Sequence, residues 1–202
     1  SNHLGSLGPI AAGASLPFFL HPWVHADLLD LRLAPDYLRR DFIEPTLRVP
    51  PPFSHWLARG ISKLHVPLLR AIGGIPVHHT PDGLHETLRQ TLDLLAQGKF
   101  ILIFPEDPDL PLDSQTKMRP FQKGFARLGE LYYERTRNIL AFHPLAVHAE
   151  TRTVRAGKSI RYNYLNHPAS ERQRIKSILE QNIRDMILQP SHGEIVHLPL
   201  PN

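Results

Sequence analysis

Cysteine is absent from this chain. That excludes a disulfide framework and any thiolate metal site, and it fits a reducing compartment. Runs of five or six like charges are absent too. Lys and Arg number 23 against 19 Asp and Glu, a formal net charge of +4 scattered along the chain. With no recognition motif beside it, that excess gives no reason to expect a nucleic-acid partner. No signal-peptide pattern opens the chain, which starts at Ser1-Asn2-His3 without Met, so a further segment is expected ahead of it. There is no Gly-rich phosphate loop and no Gly-x-Ser-x-Gly elbow. Of 13 histidines none sits in His-Glu-x-x-His, because His85-Glu86 continues as Thr87-Leu88-Arg89. Zinc chemistry is therefore not expected. From Leu4 to Ala26 there is no Asp, Glu, Lys or Arg, a length that invites a membrane span. Pro9, Pro17 and Pro22 interrupt it, with Gly5, Gly8 and Gly13. A loop, a short buried helix and a strand are expected there instead, with membrane contact left open.

What is present is the composition of a globular domain. Apolar residues make up 42% and charged residues 21% of 202 residues, enough for one domain over residues 1–202. Residues 16–25 read as a strand with its lead-in and 36–43 as a short helix. Residues 53–72 read as one or two helices, with Trp56, Leu57, Ile61, Leu64 and Leu68 at helical spacing. Gly73-Gly74 breaks the pattern and Ile75-Pro76-Val77 is extended. Thr80 can cap the next helix and Pro81 suits its first position, while Leu84, Leu88, Leu92 and Leu95 share a face and Gly98 stops it. Phe100 to Phe104 is apolar at every position, as a strand covered on both faces requires. A helix is expected over 121–135, strands over 139–147 and 159–165, and a last helix from a capping box of Ser170 and Gln173. That helix carries Ile175, Ile178, Leu179, Ile183, Met186 and Ile187 inward, with Glu180 and Arg184 paired outward. Helix and strand alternate, so the fold class is α/β, a central, largely parallel mixed sheet flanked by helices.

Several side chains could carry chemistry. Glu106 stands where a buried strand exits, the position at which such sheets collect their sites. Asp107, Asp109 and Asp113 follow it, readable as acidic turn residues, as a substrate loop or as oxygen ligands for a cation. His3, before a run of small residues, could act as a general base on a hydroxyl. His25 with Asp30 is the competing pair, with Asp27 also near, since a carboxylate raises an imidazole's basicity.

In order, these pieces resemble the lysophospholipid acyltransferase family, which acylates glycerol 3-phosphate or 1-acylglycerol 3-phosphate. Ser1-Asn2-His3 resembles the first family block, Asn-His then four residues and Asp. Gly73-Gly74-Ile75-Pro76-Val77-His78-His79 resembles the second, a Gly and an apolar segment ending in Arg. Ile103-Phe104-Pro105-Glu106 resembles the front of the third, Phe-Pro-Glu-Gly-Thr-Arg, and Phe121-Gln122-Lys123-Gly124 the stretch after it. Phe142-His143-Pro144-Leu145-Ala146-Val147 resembles the fourth, an apolar strand with a central Pro. Three departures stand out: Gly8 in place of the first-block Asp, His79 in place of the second-block Arg, and Asp107-Pro108-Asp109 in place of Gly-Thr-Arg.

The resemblance implies a glycerolipid acyltransferase-like fold and acyl transfer from acyl-CoA or acyl carrier protein to a hydroxyl. His3 would be the base, with Glu106 in the site. Gly74, His79, Asp107, Lys117, Arg119 and Lys123 would serve the acceptor, a lysolipid or a glycerol-phosphate-like molecule. Asp27 or Asp30 would fold back to His3, or His25 with Asp30 would be the working pair. No metal or prosthetic group is implied, and a cytoplasmic protein peripheral to a membrane is expected. The departures leave a second reading, a catalytically impaired lipid- or acyl-binding module on the same fold.

Overall fold

The computed structural model describes residues 1–2, 7–78, 80–148, 151, 153–189 and 194–196. In chain order its elements are helix α1 (Leu7–Ser15), strand β1 (Leu20–His25), a 3-10 turn (Ala26–Leu29), α2 (Ala34–Leu38), a π turn (Arg39–Ile43) and α3 (Glu44–Leu47). Helix α4 (Phe53–Ala71), β2 (Ile75–Val77), α5 (Pro81–Ala96) and β3 (Phe100–Leu102) follow. A 3-10 turn (Gly124–Ala126) leads to α6 (Arg127–Thr136), β4 (Ala141–Phe142), β5 (Leu145–His148), β6 (Thr153–Ala156), β7 (Ile160–Arg161), α7 (Pro168–Leu188) and β8 (Glu194–Val196). They fall into two compact units, one of residues 1–19, 95–98 and 102–202, the other of 20–94 and 99–101.

The second unit holds the sheet β2-β1-β3, with β1 and β2 parallel and Trp23 beside Ile75. Helix α5 is fastened to it by hydroxyls. The Thr87 hydroxyl donates to Pro76 O at 2.6 Å, and Thr91 Oγ1 accepts from Trp23 Nε1 at 2.9 Å. Both threonines are buried, so these bonds satisfy polar groups that would otherwise be stranded. Thr80 caps α5 as expected, taking the Gly83 amide at 3.3 Å, and Gly98 closes it at φ +75. A second cluster of Leu38, Ile43 and Ala58 joins α2, the π turn and α4, with Leu28, Phe42, Val49 and Ile61 against it.

Helix α4 buries small residues and not its large apolar ones. Its buried residues are Ser54, Ala58, Ser62 and Val66. The small side chains recur every fourth residue, so α2 can approach closely. The large apolar stripe faces outward: Trp56 is 79% exposed, Leu64 77% and Phe53 70%.

The first unit carries the antiparallel sheet β5-β6-β8 and the antiparallel pair β4-β7. Ala11 of α1 packs on Val147 and Val154. Helix α7 buries Ile175, Leu179, Ile183 and Met186, the face its spacing predicts. Glu180 and Arg184 do meet, at 3.4 Å.

α/β holds as a class, but the described strands form three small sheets rather than one largely parallel sheet, and two of the three are antiparallel. The 139–147 strand is broken at His143-Pro144, where proline cannot donate to a ladder. Helix α7 starts at Pro168 with His167 before it and no side-chain cap, so Ser170 lies inside its first turn. Strand β3 is covered only towards Leu102, since Phe100 is 48% exposed. Helix α1 is nine residues long, far short of a bilayer's thickness. Among the described residues no helix is long and apolar enough to cross a membrane.

Candidate active site

In the first unit, three of the four family-like segments meet. The Asn2 side chain is fully buried. Its Nδ2 donates to Val147 O at 3.0 Å and its Oδ1 accepts from Val147 N at 2.7 Å. One side chain thus imitates a strand partner and occupies both main-chain groups of Val147 on β5. Beside it the Ser1 nitrogen donates to Ile103 O at 3.2 Å. The residue before His3 is therefore locked to the fourth segment, and the one before that to the third. His3 itself lies outside the described residues.

Glu106 is half-buried and belongs to a short two-strand contact. It bridges Phe121 in antiparallel sense, Asp107 N donates to Pro120 O and Gln122 N to Pro105 O. Its Oε2 accepts from Arg119 N at 2.9 Å. The next amide, Phe121 N, donates to Glu180 Oε2 at 3.0 Å. Burial pushes Glu180 up, but the Lys176 ammonium and the Phe121 amide more than offset it and hold its carboxyl below the ordinary value.

The loop after Glu106 is organised by its own acids. Asp107 Oδ1 accepts from Asp109 N, and Asp113 Oδ1 accepts from the amides of Gln115 and Thr116 and from the Thr116 hydroxyl. The Thr116 bonds hold the Asp113 carboxyl below its ordinary value. These are Asx turns. No three His, Cys, Asp or Glu side chains converge as metal ligands among the described residues. Of the cations expected to serve an acceptor, Lys117 and Lys123 are exposed, with Lys117 at φ +53. The Arg119 guanidinium donates to Leu110 O and so braces the loop.

The His25–Asp30 pair does not form. Asp27 is the carboxylate beside His25, its Oδ2 being 3.8 Å from Nδ1. Asp30 Oδ1 accepts from Arg32 N at 2.8 Å. The physical cause is the 3-10 turn at Ala26, which His25 caps: Nδ1 accepts the Asp27 amide at 3.3 Å. A neutral imidazole with Nδ1 as acceptor carries its proton on Nε2, so in this state it has no lone pair left for a substrate hydroxyl. The ring lies 4.5 Å from Tyr37. Burial first, then the charges of Asp41 and Asp27, push the Tyr37 phenol up.

Gly73 and Gly74 lie in the second unit and serve close packing. Gly73 has φ +63, and a Cβ there would meet His21 Nδ1 at 2.4 Å. His21 Nδ1 itself bonds Gly73 O at 3.1 Å. A Cβ on Gly74 would meet Leu69 O at 3.0 Å and Val24 at 3.3 Å. His79, which ends this segment, lies outside the described residues.

Two basic features escaped the sequence reading. Arg155 on β6 pairs in register with Ala146 of the fourth segment. It is buried, and among the described residues its Nε and Nη1 meet no hydrogen-bond partner. A lone Arg among alternating strand residues carries no sequence signal. In the second unit, a cleft of 390 Å³ between α2 and α4 is lined by Arg32, Arg39, Arg59 and Lys63, with Asp36 the one carboxylate. Its cations come from separate elements, so only folding brings them together. Compared with models of known families, with characterised proteins and with solved structures, the chain finds no match.

Proposed function

We propose that this chain is an acyltransferase of the lysophospholipid acyltransferase kind, moving a fatty acyl group from acyl-CoA or acyl carrier protein to a hydroxyl of a glycerolipid or related acceptor. The observation that carries this reading is the paired bond between Asn2 and Val147. It ties the first family-like segment to the fourth, with the third reached through Ser1 and Ile103. His3 follows directly on that clamp. In this reading His3 takes the proton of the acceptor hydroxyl, and the oxygen attacks the thioester carbonyl. The C–S bond breaks, and the thiolate leaves with the proton from the imidazolium. Backbone amides stabilise the oxyanion. Glu106 holds the loop that follows β3 through the Arg119 amide. Arg155 is the cation this reading enlists for an anionic group of the acceptor, since its Nε and Nη1 are buried with no partner among the described residues. The protein works at the cytoplasmic face of a membrane, and needs no metal or prosthetic group.

The second reading, a catalytically impaired lipid- or acyl-binding module, is favoured by two observations. Arg119, one of the cations expected to serve the acceptor, spends its guanidinium on Leu110 O, and Gly8 stands where the orienting Asp belongs. The test follows free CoA released from long-chain acyl-CoA with a panel of lysolipid acceptors. His3→Ala is expected to lower the rate about 10²–10⁴-fold and His25→Ala to leave it unchanged. Loss of activity in the His25 variant alone would overturn the assignment of the base. Acyl-CoA binding with no CoA release by the unaltered chain would establish the second reading.

A further inference from the structure

Helix α4 presents its apolar face to solvent. At about 100° per residue, Phe53, Trp56, Leu57, Gly60, Leu64 and Leu68 fall within an arc of roughly 120°. Trp56, Leu64, Phe53 and Leu68 are 79%, 77%, 70% and 55% exposed. Two aromatic rings and three leucines so displayed amount to several hundred Å², as large as the largest apolar patch of an ordinary monomer. Such a face marks an interaction site, and the charges beside it say with what.

Arg59, Lys63 and Arg70 lie just beyond one edge of that arc. No Asp or Glu occurs from Pro45 to Pro81. Arg59 and Lys63 also line the cleft between α2 and α4, where Arg32 and Arg39 face them across 390 Å³. Of these four cations, Arg39 bonds Glu44 at 3.0 Å and stands 3.8 Å from Asp36, which among the described residues is the one acid on the cleft wall. A broad apolar face of Trp, Phe and Leu with a basic flank and no acidic residue is the pattern of a helix lying in the plane of a bilayer surface. An acidic protein partner would need no such depth of exposed tryptophan and leucine. An apolar protein partner would need no cations.

We propose that α4 is a membrane-docking helix for surfaces rich in anionic phospholipid. The stripe from Phe53 to Leu68 enters the boundary between headgroups and acyl chains. Arg59 and Lys63 meet lipid phosphates at its edge, with the cleft beside them open to a headgroup. The docking does not depend on acyl transfer, and its test reads no CoA.

The experiment sediments the chain with vesicles of phosphatidylcholine alone or with phosphatidylserine added, at low and high salt. Binding to the phosphatidylserine vesicles is expected, weakened by salt. Trp56 emission shifts to the blue, while Trp23, whose indole N–H is held by Thr91, changes little. The double variant Arg59→Gln, Lys63→Gln, altering exposed side chains only, should bind roughly 30-fold more weakly, from ~1 kcal/mol per basic residue at an anionic surface. Leu64→Ser should weaken binding to both vesicles without altering the circular dichroism of the free chain. Failure of the folded chain to bind phosphatidylserine vesicles would overturn the proposal, as would unchanged binding of the double variant. A chain that dimerises, and that Leu64→Ser makes monomeric with no effect on vesicles, would assign the face to a second copy instead.

Discussion

Replacing Glu171 by alanine should destabilise the first unit by about 3 kcal/mol. The side chain is fully buried at the start of α7. Its Oε1 accepts from Asn163 N at 2.8 Å and Arg174 Nη2 at 2.5 Å. Its Oε2 accepts from Asn166 Nδ2 at 2.7 Å and Arg174 Nε at 2.8 Å. Four donors around one carboxylate tie the turn after β7 to the helix that covers it. Removing one partner of a buried pair costs about 3–5 kcal/mol, because the other charge is left uncompensated. Here Arg174 is 35% exposed and keeps its bond to Arg161 O, so it can recover water and the lower end applies. Glu171→Gln keeps the volume and one acceptor and should cost about half as much. Urea denaturation followed by circular dichroism at pH 7 measures both. A loss of 3 kcal/mol corresponds to a melting point lower by about 6–12 °C.

The same site makes a pH prediction. Burial pushes the Glu171 carboxyl up, but the bonds from Arg174, Asn166 and the Asn163 amide prevail and hold it at about 2 against an ordinary 4.5. A depressed folded-state value means that the unfolded chain takes up the proton first as pH falls. The contribution is therefore whole above the ordinary value and lost as pH drops from there through about 2. The stability gap between the unaltered chain and Glu171→Gln should narrow between about pH 5 and pH 3. A Glu171→Ala variant within about 0.5 kcal/mol of the unaltered chain, or a gap that does not move with pH, would refute the reasoning.

Two further perturbations test the packing around the family-like segments. Asn2→Ala leaves the Val147 amide and carbonyl without their buried partner. It should cost about 2–4 kcal/mol and speed hydrogen exchange at the Val147 amide; unchanged protection there would remove the clamp from the argument. Gly98→Ala meets nothing within 4 Å and should cost only the left-handed backbone term, about 1–2 kcal/mol. Gly73→Ala carries the same term plus displacement of His21, whose Nδ1 sits 2.4 Å from the new Cβ, and should lose at least about 1 kcal/mol more; equal losses in the two would show that His21 swings away freely.

Local physics was readable from the residues alone. Thr80 and Gly98 bound α5 because a hydroxyl cap and a left-handed glycine act within one turn. The inward face of α7 followed from its spacing, while the acids after Glu106, which spacing left open among three readings, form Asx bonds to neighbouring amides. Other features depend on what a segment meets across the fold. Periodicity marked the stripe on α4, yet only the close approach of Ser54, Ala58 and Ser62 to the neighbouring helix turned that stripe outward. The Asn2 clamp spans 145 residues of sequence, and the α2–α4 cleft gathers cations from several elements. His25 had acids on hand at Asp27 and Asp30, but the 3-10 turn that His25 itself caps brought Asp27 beside the ring and sent Asp30 to Arg32. Spacing fixes a side chain's direction about its own element; which surface covers that side depends on every other element at once, and this is why the facing of α4 and the partners of Asn2 and His25 were decided only in three dimensions.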